Sequence, residues 1–184
     1  MYIAKFSLDM KIPEVRRAVS DRQVLHAAVQ KMFSADRASY DVLYRLAGKS
    51  LYVSASSAPQ HDACPPGFNV CFENELPLES EGSVHRFSLV VIPRKCVNAK
   101  KVILRTEDER FSWLNRKAAE SGFAIYSVRE TGREPINSRK KGFDLDAFKY
   151  EGTLVVTDAA LFNAALLKGI GTMKAYGCGM LMIA

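Results

Sequence analysis

The chain has 184 residues, 48% of them hydrophobic, enough for a sizeable core in one domain or two small ones. Lys and Arg number 26 against 20 acidic residues, a net charge of +6 that favours an acidic partner such as nucleic acid. No apolar run reaches the roughly 18 residues of a membrane span, and the first residues, MYIAKFSLDMK, are too interrupted by charge for a signal peptide. Cys64, Cys71, Cys96 and Cys178 contain no CxxC pair, so a zinc site or disulfide framework is not expected, and free thiols point to the cytoplasm.

Tyr2 to Leu8 alternates like a strand, and a loop with Pro13 follows. Ser20 or Asp21 then caps a helix to about Phe33, with Val24, Leu25, Ala28, Val29, Met32 and Phe33 on one stripe. Strands are predicted at Val42–Leu46 and Leu51–Ala55, and a weaker one at Phe68–Phe72. Ser56–Gly67 reads as loop and Glu73–Gly82, with Pro77, as an acidic linker.

A second cycle starts with the strand Val84–Ile92. The stretch 94–105 carries five bases and no acid. Glu107–Ser121 is a helix closed by Gly122, with its acidic start suited to the macrodipole. Phe123–Val128 and Phe148–Val156 are strands separated by a polar, basic stretch, Arg129–Lys141. Asp158 starts the last helix, and a glycine-rich loop leads to a strand at Met180–Ile183. The second half reads β-α-β-β-α-β, and the first reads β-α-β-β and lacks a convincing second helix. The expected architecture is α+β, two tandem ferredoxin-like (RRM-like) domains, at residues 1–80 and 83–184.

The loop Lys168–Gly179 holds Gly169, Gly171, Gly177 and Gly179 among Lys168 and Lys174. Glycines let backbone N–H groups approach an anion closely, although a helix C-cap and tight turn explain the pattern as well. His26 lies on the flank of its helix stripe, near Gln23 and Gln30, where a neutral imidazole can serve as base or acid. An ordinary surface histidine fits the same spacing. His61 and His85 have no partner pattern. Asp144 and Asp146 stand two apart, fewer carboxylates than a two-metal nuclease needs. The stretches Arg94–Arg105 and Arg129–Lys141 are solvated loops or the two walls of a groove for an RNA stem, which is read through phosphates and shape.

The order of motifs resembles the CasE family, the CRISPR RNA-processing endoribonucleases of type I-E Cascade within the RAMP superfamily. The matching segments are DRQVLHAAVQKMF (Asp21–Phe33), YRL (Tyr44–Leu46), LYVSASSAP (Leu51–Pro59) and HRFSLVVIPRK (His85–Lys95). DERFSWLNRKAAESGF (Asp108–Phe123) and the ending from Phe148 to Ala184, with GIGTMKAYGCG, complete the set. The resemblance implies cleavage without a metal or cofactor, at the 3′ base of a repeat hairpin, by attack of the RNA 2′-OH. The products would be a 2′,3′-cyclic phosphate and a 5′-OH, with the hairpin retained. His26 falls on the family's catalytic histidine, and Lys31 is placed to offset phosphorane charge. Gln23 stands where many members have a tyrosine, and Ile92-Pro93-Arg94 replaces an NPT. The expected RNA contacts are Arg94, Lys95, Lys100 and Lys101 on one side and Arg129, Arg133, Arg139, Lys140 and Lys141 on the other. Lys168, Gly169, Gly171 and Lys174 add the glycine loop. The implied partners are CRISPR repeat hairpin RNA (crRNA) and other subunits of a Cascade-like complex, with no membrane. Two further readings stay open: a non-catalytic RNA-hairpin-binding subunit, supported by Gln23, and a small-molecule-binding ferredoxin-like protein whose basic loops are merely soluble.

Overall fold

The computed structural model describes residues 1–33 and 41–184. Strand β1 (Tyr2–Leu8) buries Ala4, Phe6 and Leu8. Helix α1 (Pro13–Ser20) takes the place of the expected loop. Pro13 is suited to the first helical turn, where its missing N–H costs nothing, and Val15 and Ala18 supply the buried stripe. A helix of eight residues has too few periods to stand out in a sequence. Helix α2 (Arg22–Lys31) follows at once, capped by Asp21, whose Oδ1 accepts from the Gln23 N–H at 2.9 Å.

Strands β2 (Leu43–Ala47) and β3 (Ser50–Ala55) form a hairpin through Gly48, whose φ of +61° suits the tight turn. A 3-10 turn at His61–Ala63 is all that stands where a second helix of the first unit would be. Strand β4 (Phe68–Glu75) then pairs with β1, running into the stretch expected to be linker. This antiparallel sheet has the order β2-β3-β1-β4.

In the second half β5 (Val84–Val91) leads to a small hairpin of β6 (Arg94–Val97) and β7 (Lys100–Ile103). Helix α3 (Glu107–Glu120) starts with a capping box between Thr106 and Glu109. Strands β8 (Phe123–Ser138) and β9 (Phe143–Val156) pair along their whole length. Helix α4 (Ala159–Lys168), a 3-10 turn at Lys174–Tyr176 and β10 (Leu181–Ile183) close the chain. The sheet order is β10-β5-β9-β8. Both sheets have the ferredoxin-like order, in two tandem units.

The basic stretch Arg129–Lys141 is therefore not a loop. It is mostly the outer half of β8, a ribbon that outruns its sheet. Its alternation is masked by charge because one face meets solvent and only Ile136 and Ser138 are buried. Likewise Arg94–Arg105 is largely the β6–β7 hairpin.

Each sheet covers its own core. Phe6, Leu25, Val29, Met32, Tyr44 and Leu51 fill the first, and Leu89, Trp113, Leu114, Phe123, Tyr150 and Phe162 the second. A third cluster, Val90, Ile92, Ile136, Ala147 and Cys178, sits under the β8–β9 ribbon. The halves meet in polar contacts too. Arg45 of β2 is buried and donates to the Ser88 hydroxyl of β5 at 2.8 Å.

Candidate functional site

The site is built at the start of α2. Asp21 caps the helix with Oδ1, and its Oδ2 accepts from the backbone N–H of Arg139 at 3.2 Å. One carboxylate thus fixes both the helix start and the tip of the β8–β9 ribbon. Beneath it the buried Arg22 forms an ion pair with Glu134 of β8, and Lys149 of β9 lies 3.4 Å from the same carboxylate. Between helix and ribbon a cleft of about 570 Å³ opens, lined by Arg17, Asp21, Gln23, Ala27, Arg139 and Lys140 among others. Two of the bases expected on the RNA and the residue three before His26 share this one cleft.

His26 follows Gln23 by three positions, on a neighbouring part of the helix face. Its ring is half-buried and stacks on Tyr44 of β2, with centroids 6.4 Å apart and planes at 26°. The Tyr44 hydroxyl lies 2.9 Å from the carbonyl of Ala175 and 3.2 Å from that of Arg22. Burial raises the Tyr44 phenol far above its ordinary value. It stays neutral and acts as a prop for the imidazole. Tyr176, at the end of the 3-10 turn, donates its hydroxyl to Gln23 Oε1 at 3.2 Å. Its ring meets Phe143 edge-on, with centroids 4.9 Å apart. The glycine loop therefore holds α2 through the Tyr176 phenol and β2 through the Ala175 carbonyl.

This arrangement can hold a histidine steady beside a cationic cleft, which suits proton transfer next to a phosphodiester. The whole chain, residues 1–184, matches the family described as CRISPR associated protein. The chain belongs to that family. A curated relative, the CRISPR-associated endoribonuclease Cse3 of Thermus thermophilus, is 26% identical over 211 residues, covering 100% of each chain. The CRISPR system Cascade subunit CasE of Escherichia coli (strain K12) is 29% identical over 119 residues, 61% of this chain and 50% of its own. The structure of Thermus thermophilus Cse3 bound to an RNA representing a pre-cleavage complex matches with a TM-score of 0.92 at 26% identity, over 100% of this chain and 98% of that one. The CasE resemblance of the motifs is borne out by these relatives.

Other residues singled out in the sequence are dispersed. Lys31 is exposed in the last turn of α2, five positions from His26 and so about 140° around the helix from it. Lys141 is exposed at the ribbon tip beside Lys140. Arg133 lies over the Phe148 ring, 5.0 Å from its centroid, with Arg110 4.3 Å away from the same centroid. Lys95 pairs with Glu109 at 2.7 Å, and Lys100 and Lys101 are exposed on β7. Arg129 pairs with Glu151 at 3.2 Å and lines a separate cavity with Arg86 and Ser127. Arg94, Gly169, Gly171 and Lys174 meet in another cavity, at the glycine turn. Lys168 ends α4 just before it. His61 pairs with Glu73 and His85 with Glu79. Among the described residues no cluster of three or more His, Cys, Asp and Glu is placed to hold a metal, and no helix is long and apolar enough to cross a membrane.

Sequence reading missed Asp21 as a bridge, the Arg22–Glu134 pair, and the supporting roles of Tyr44 and Tyr176. The capping pattern named Asp21, but its second oxygen serves a residue 118 positions away. No local signal carries that.

Proposed function

We propose that this protein is a metal-independent endoribonuclease that cleaves CRISPR repeat hairpin RNA to mature guide RNA and retains the product hairpin. The observation that carries the reading is His26, stacked on a neutral Tyr44 beside the cleft of Gln23, Arg139 and Lys140. A whole-chain relative, Thermus thermophilus Cse3, supports it: it is named an endoribonuclease, and its RNA-bound structure matches this chain. In this reading the 2′-oxygen bonds to the adjacent phosphorus and the bond from phosphorus to the 5′-oxygen breaks. A 2′,3′-cyclic phosphate and a 5′-OH remain. One proton leaves the 2′-OH and one reaches the 5′-oxygen, and His26 moves one of the two. Arg139 and Lys140 hold the strand by its phosphates beside His26, and Lys31, about 140° around α2 from it, meets a phosphate away from the scissile bond. The β8–β9 ribbon and the β6–β7 hairpin supply the remaining cationic contacts to the stem.

The reading extends to partners and place: other subunits of a Cascade-like complex, in the cytoplasm. It takes residues 1–80 and 83–184 as the two units, each with its own core. A second reading, a non-catalytic hairpin-binding subunit, is favoured by Gln23, whose amide accepts a hydrogen bond from Tyr176 and has no acidic proton to give.

Cleavage of a labelled repeat hairpin in EDTA, beside a copy with a 2′-deoxy residue at the scissile position, separates the two. A single cut that survives EDTA and vanishes in the deoxy copy is expected. Tight binding of both RNAs with no cut in either selects the scaffold.

A further inference from the structure

Gln23 stands between the cleft and the imidazole. It lines the cleft beside Arg139 and Lys140, and it precedes His26 by three positions, the spacing at which helical side chains are neighbours. Its backbone is already fixed, because its N–H donates to the Asp21 cap at 2.9 Å. What is left to set is the side-chain amide, with an oxygen on one side and two N–H donors on the other. The end that meets the RNA decides what the residue can do. An oxygen repels a phosphate, and an NH2 group binds it.

The Tyr176 hydroxyl makes that choice. It donates to Gln23 Oε1 at 3.2 Å, and Tyr176 is not a wall of the cleft. With its oxygen turned to the phenol, the amide carries Nε2 on the other side, toward the cleft. Among the described residues nothing accepts from that Nε2. The phenol is itself held in three ways. Its ring meets Phe143 edge-on, with planes at 90°. Its backbone N–H donates to the Met173 carbonyl at 2.9 Å. Next to it Gly177, at φ +85°, lies against the Tyr44 ring, where a Cβ would come within 3.0 Å. That same ring carries His26. One turn of chain thus sets imidazole and amide together, since Ala175 accepts from Tyr44 and Tyr176 donates to Gln23.

We infer, on the ribonuclease reading above, that Gln23 is a catalytic residue and Tyr176 its positioning residue. Gln23 Nε2 donates to a non-bridging oxygen of the scissile phosphate, and the Tyr176 hydroxyl keeps the amide turned for that contact. The non-bridging oxygens gain charge as the 2′-oxygen bonds to phosphorus. A donor already aimed at one of them holds the transition state more tightly than the ground state. Such a donor has no acidic proton to give and needs none, because the protons of the reaction move elsewhere, one of them through His26.

The test is single-turnover cleavage of a repeat hairpin at saturating protein, so that binding drops out of the rate. Four proteins are compared: wild type, Gln23→Leu, Tyr176→Phe and the double variant. Gln23→Leu is expected to slow cleavage by about 10²-fold, the worth of one preorganised donor. Tyr176→Phe keeps the ring and should slow it by about fivefold, the worth of one neutral hydrogen bond. In the Gln23→Leu background the same change should cost nothing further, because the hydroxyl reaches the phosphate only through the amide. Wild-type cleavage by Gln23→Leu, or a Tyr176→Phe loss equally large in both backgrounds, overturns the assignment. Sulfur in place of one non-bridging oxygen at the scissile phosphate gives a second readout, which a merely structural role does not move. Sulfur accepts hydrogen bonds poorly, so wild type should cut one of the two diastereomers slowly, and Gln23→Leu should lose that penalty. Equal penalties in wild type and Gln23→Leu for both diastereomers overturn the assignment as well. A hairpin that wild type binds and never cuts sinks the ribonuclease reading and this assignment with it. A wild type that cuts, with any of the contrary patterns just named, sinks the assignment alone.

Discussion

The Tyr44 hydroxyl sits 2.9 Å from the Ala175 carbonyl, joining the first sheet to the last loop of the chain, 131 residues away. The same ring carries the His26 imidazole. Removal of this hydroxyl leaves two backbone carbonyls without it, those of Ala175 and Arg22. Tyr44→Phe is expected to cost about 1–2 kcal/mol in urea unfolding, the usual loss for a buried hydrogen bond. Because the phenol does not ionise near neutral pH, the pH profile of cleavage should keep its shape while its height falls. A profile that loses one limb would make Tyr44 a proton carrier.

His26→Ala separates chemistry from binding. In the proposed reading His26 moves a proton while Arg139 and Lys140 grip the strand, so hairpin affinity should stay within about twofold while cleavage falls by about 10²-fold or more, the typical worth of general acid–base catalysis. Charge reversal of Arg139 and Lys140 should do the opposite, weakening affinity and flattening its salt dependence by about one unit per phosphate contact. Gel shifts at several salt concentrations beside single-turnover cleavage check both. Wild-type cleavage by the His26 variant would remove the histidine from the mechanism.

Much of the fold was legible because its long elements obey simple periods. The α2 stripe, the acidic start of α3 and the run of β5 all stood where hydrophobic spacing and charge put them. The failures have physical causes. Helix α1 is one short amphipathic segment behind Pro13. The ribbon half of β8 reads as a charged loop because only a few of its side chains, Ile136 and Ser138 among them, face inward. The site was half legible. His26, Gln23, Arg139 and Lys140 were all named, but what unites them is a set of contacts across more than a hundred residues: Asp21 to Arg139, Arg22 to Glu134, Gln23 to Tyr176.

Glu134 tests whether the ribbon is held down by charge. Its side chain is 14% exposed and that of Arg22 only 8%. Glu134→Gln leaves the buried guanidinium without its carboxylate, which costs about 3 kcal/mol when one partner of a buried pair is lost. A double change, Arg22→Met with Glu134→Leu, should recover most of that loss, because neither charge then needs desolvating. Thermal or urea unfolding of the three proteins reads this directly. Equal stability of wild type and Glu134→Gln would show the pair to be energetically idle.

The cysteines predict a labelling pattern. Cys71 and Cys96 are exposed, Cys64 is half-buried with its thiol raised by burial, and Cys178 is buried with its thiol pushed up to about 12. The thiolate is the reactive form. Brief alkylation at about pH 8 should modify Cys71 and Cys96 first, Cys64 more slowly and Cys178 only after unfolding. Peptide mass mapping measures it. Early labelling of Cys178 would mean that the cluster under the ribbon opens readily.

Acid sensitivity should begin at the start of α3. The Lys95 ammonium, bonded to Glu109, and the Thr106 backbone N–H hold that carboxyl down at about 2, against an ordinary 4.5. A depressed carboxyl contributes stability that is fully present above its unfolded value and is lost as pH falls through its folded value. The window is therefore about pH 4.5 to 2, and the carboxylate lies at the surface, so salt screens it. Glu109→Gln breaks the pair with Lys95 and weakens the capping box at Thr106. In hydrogen exchange the first turn of α3 should open faster in this variant at neutral pH. At about pH 2 the difference from wild type should shrink, because there the wild-type carboxyl is itself partly protonated. A gap that persists undiminished in acid would place the effect in packing and leave the charge with no part in it.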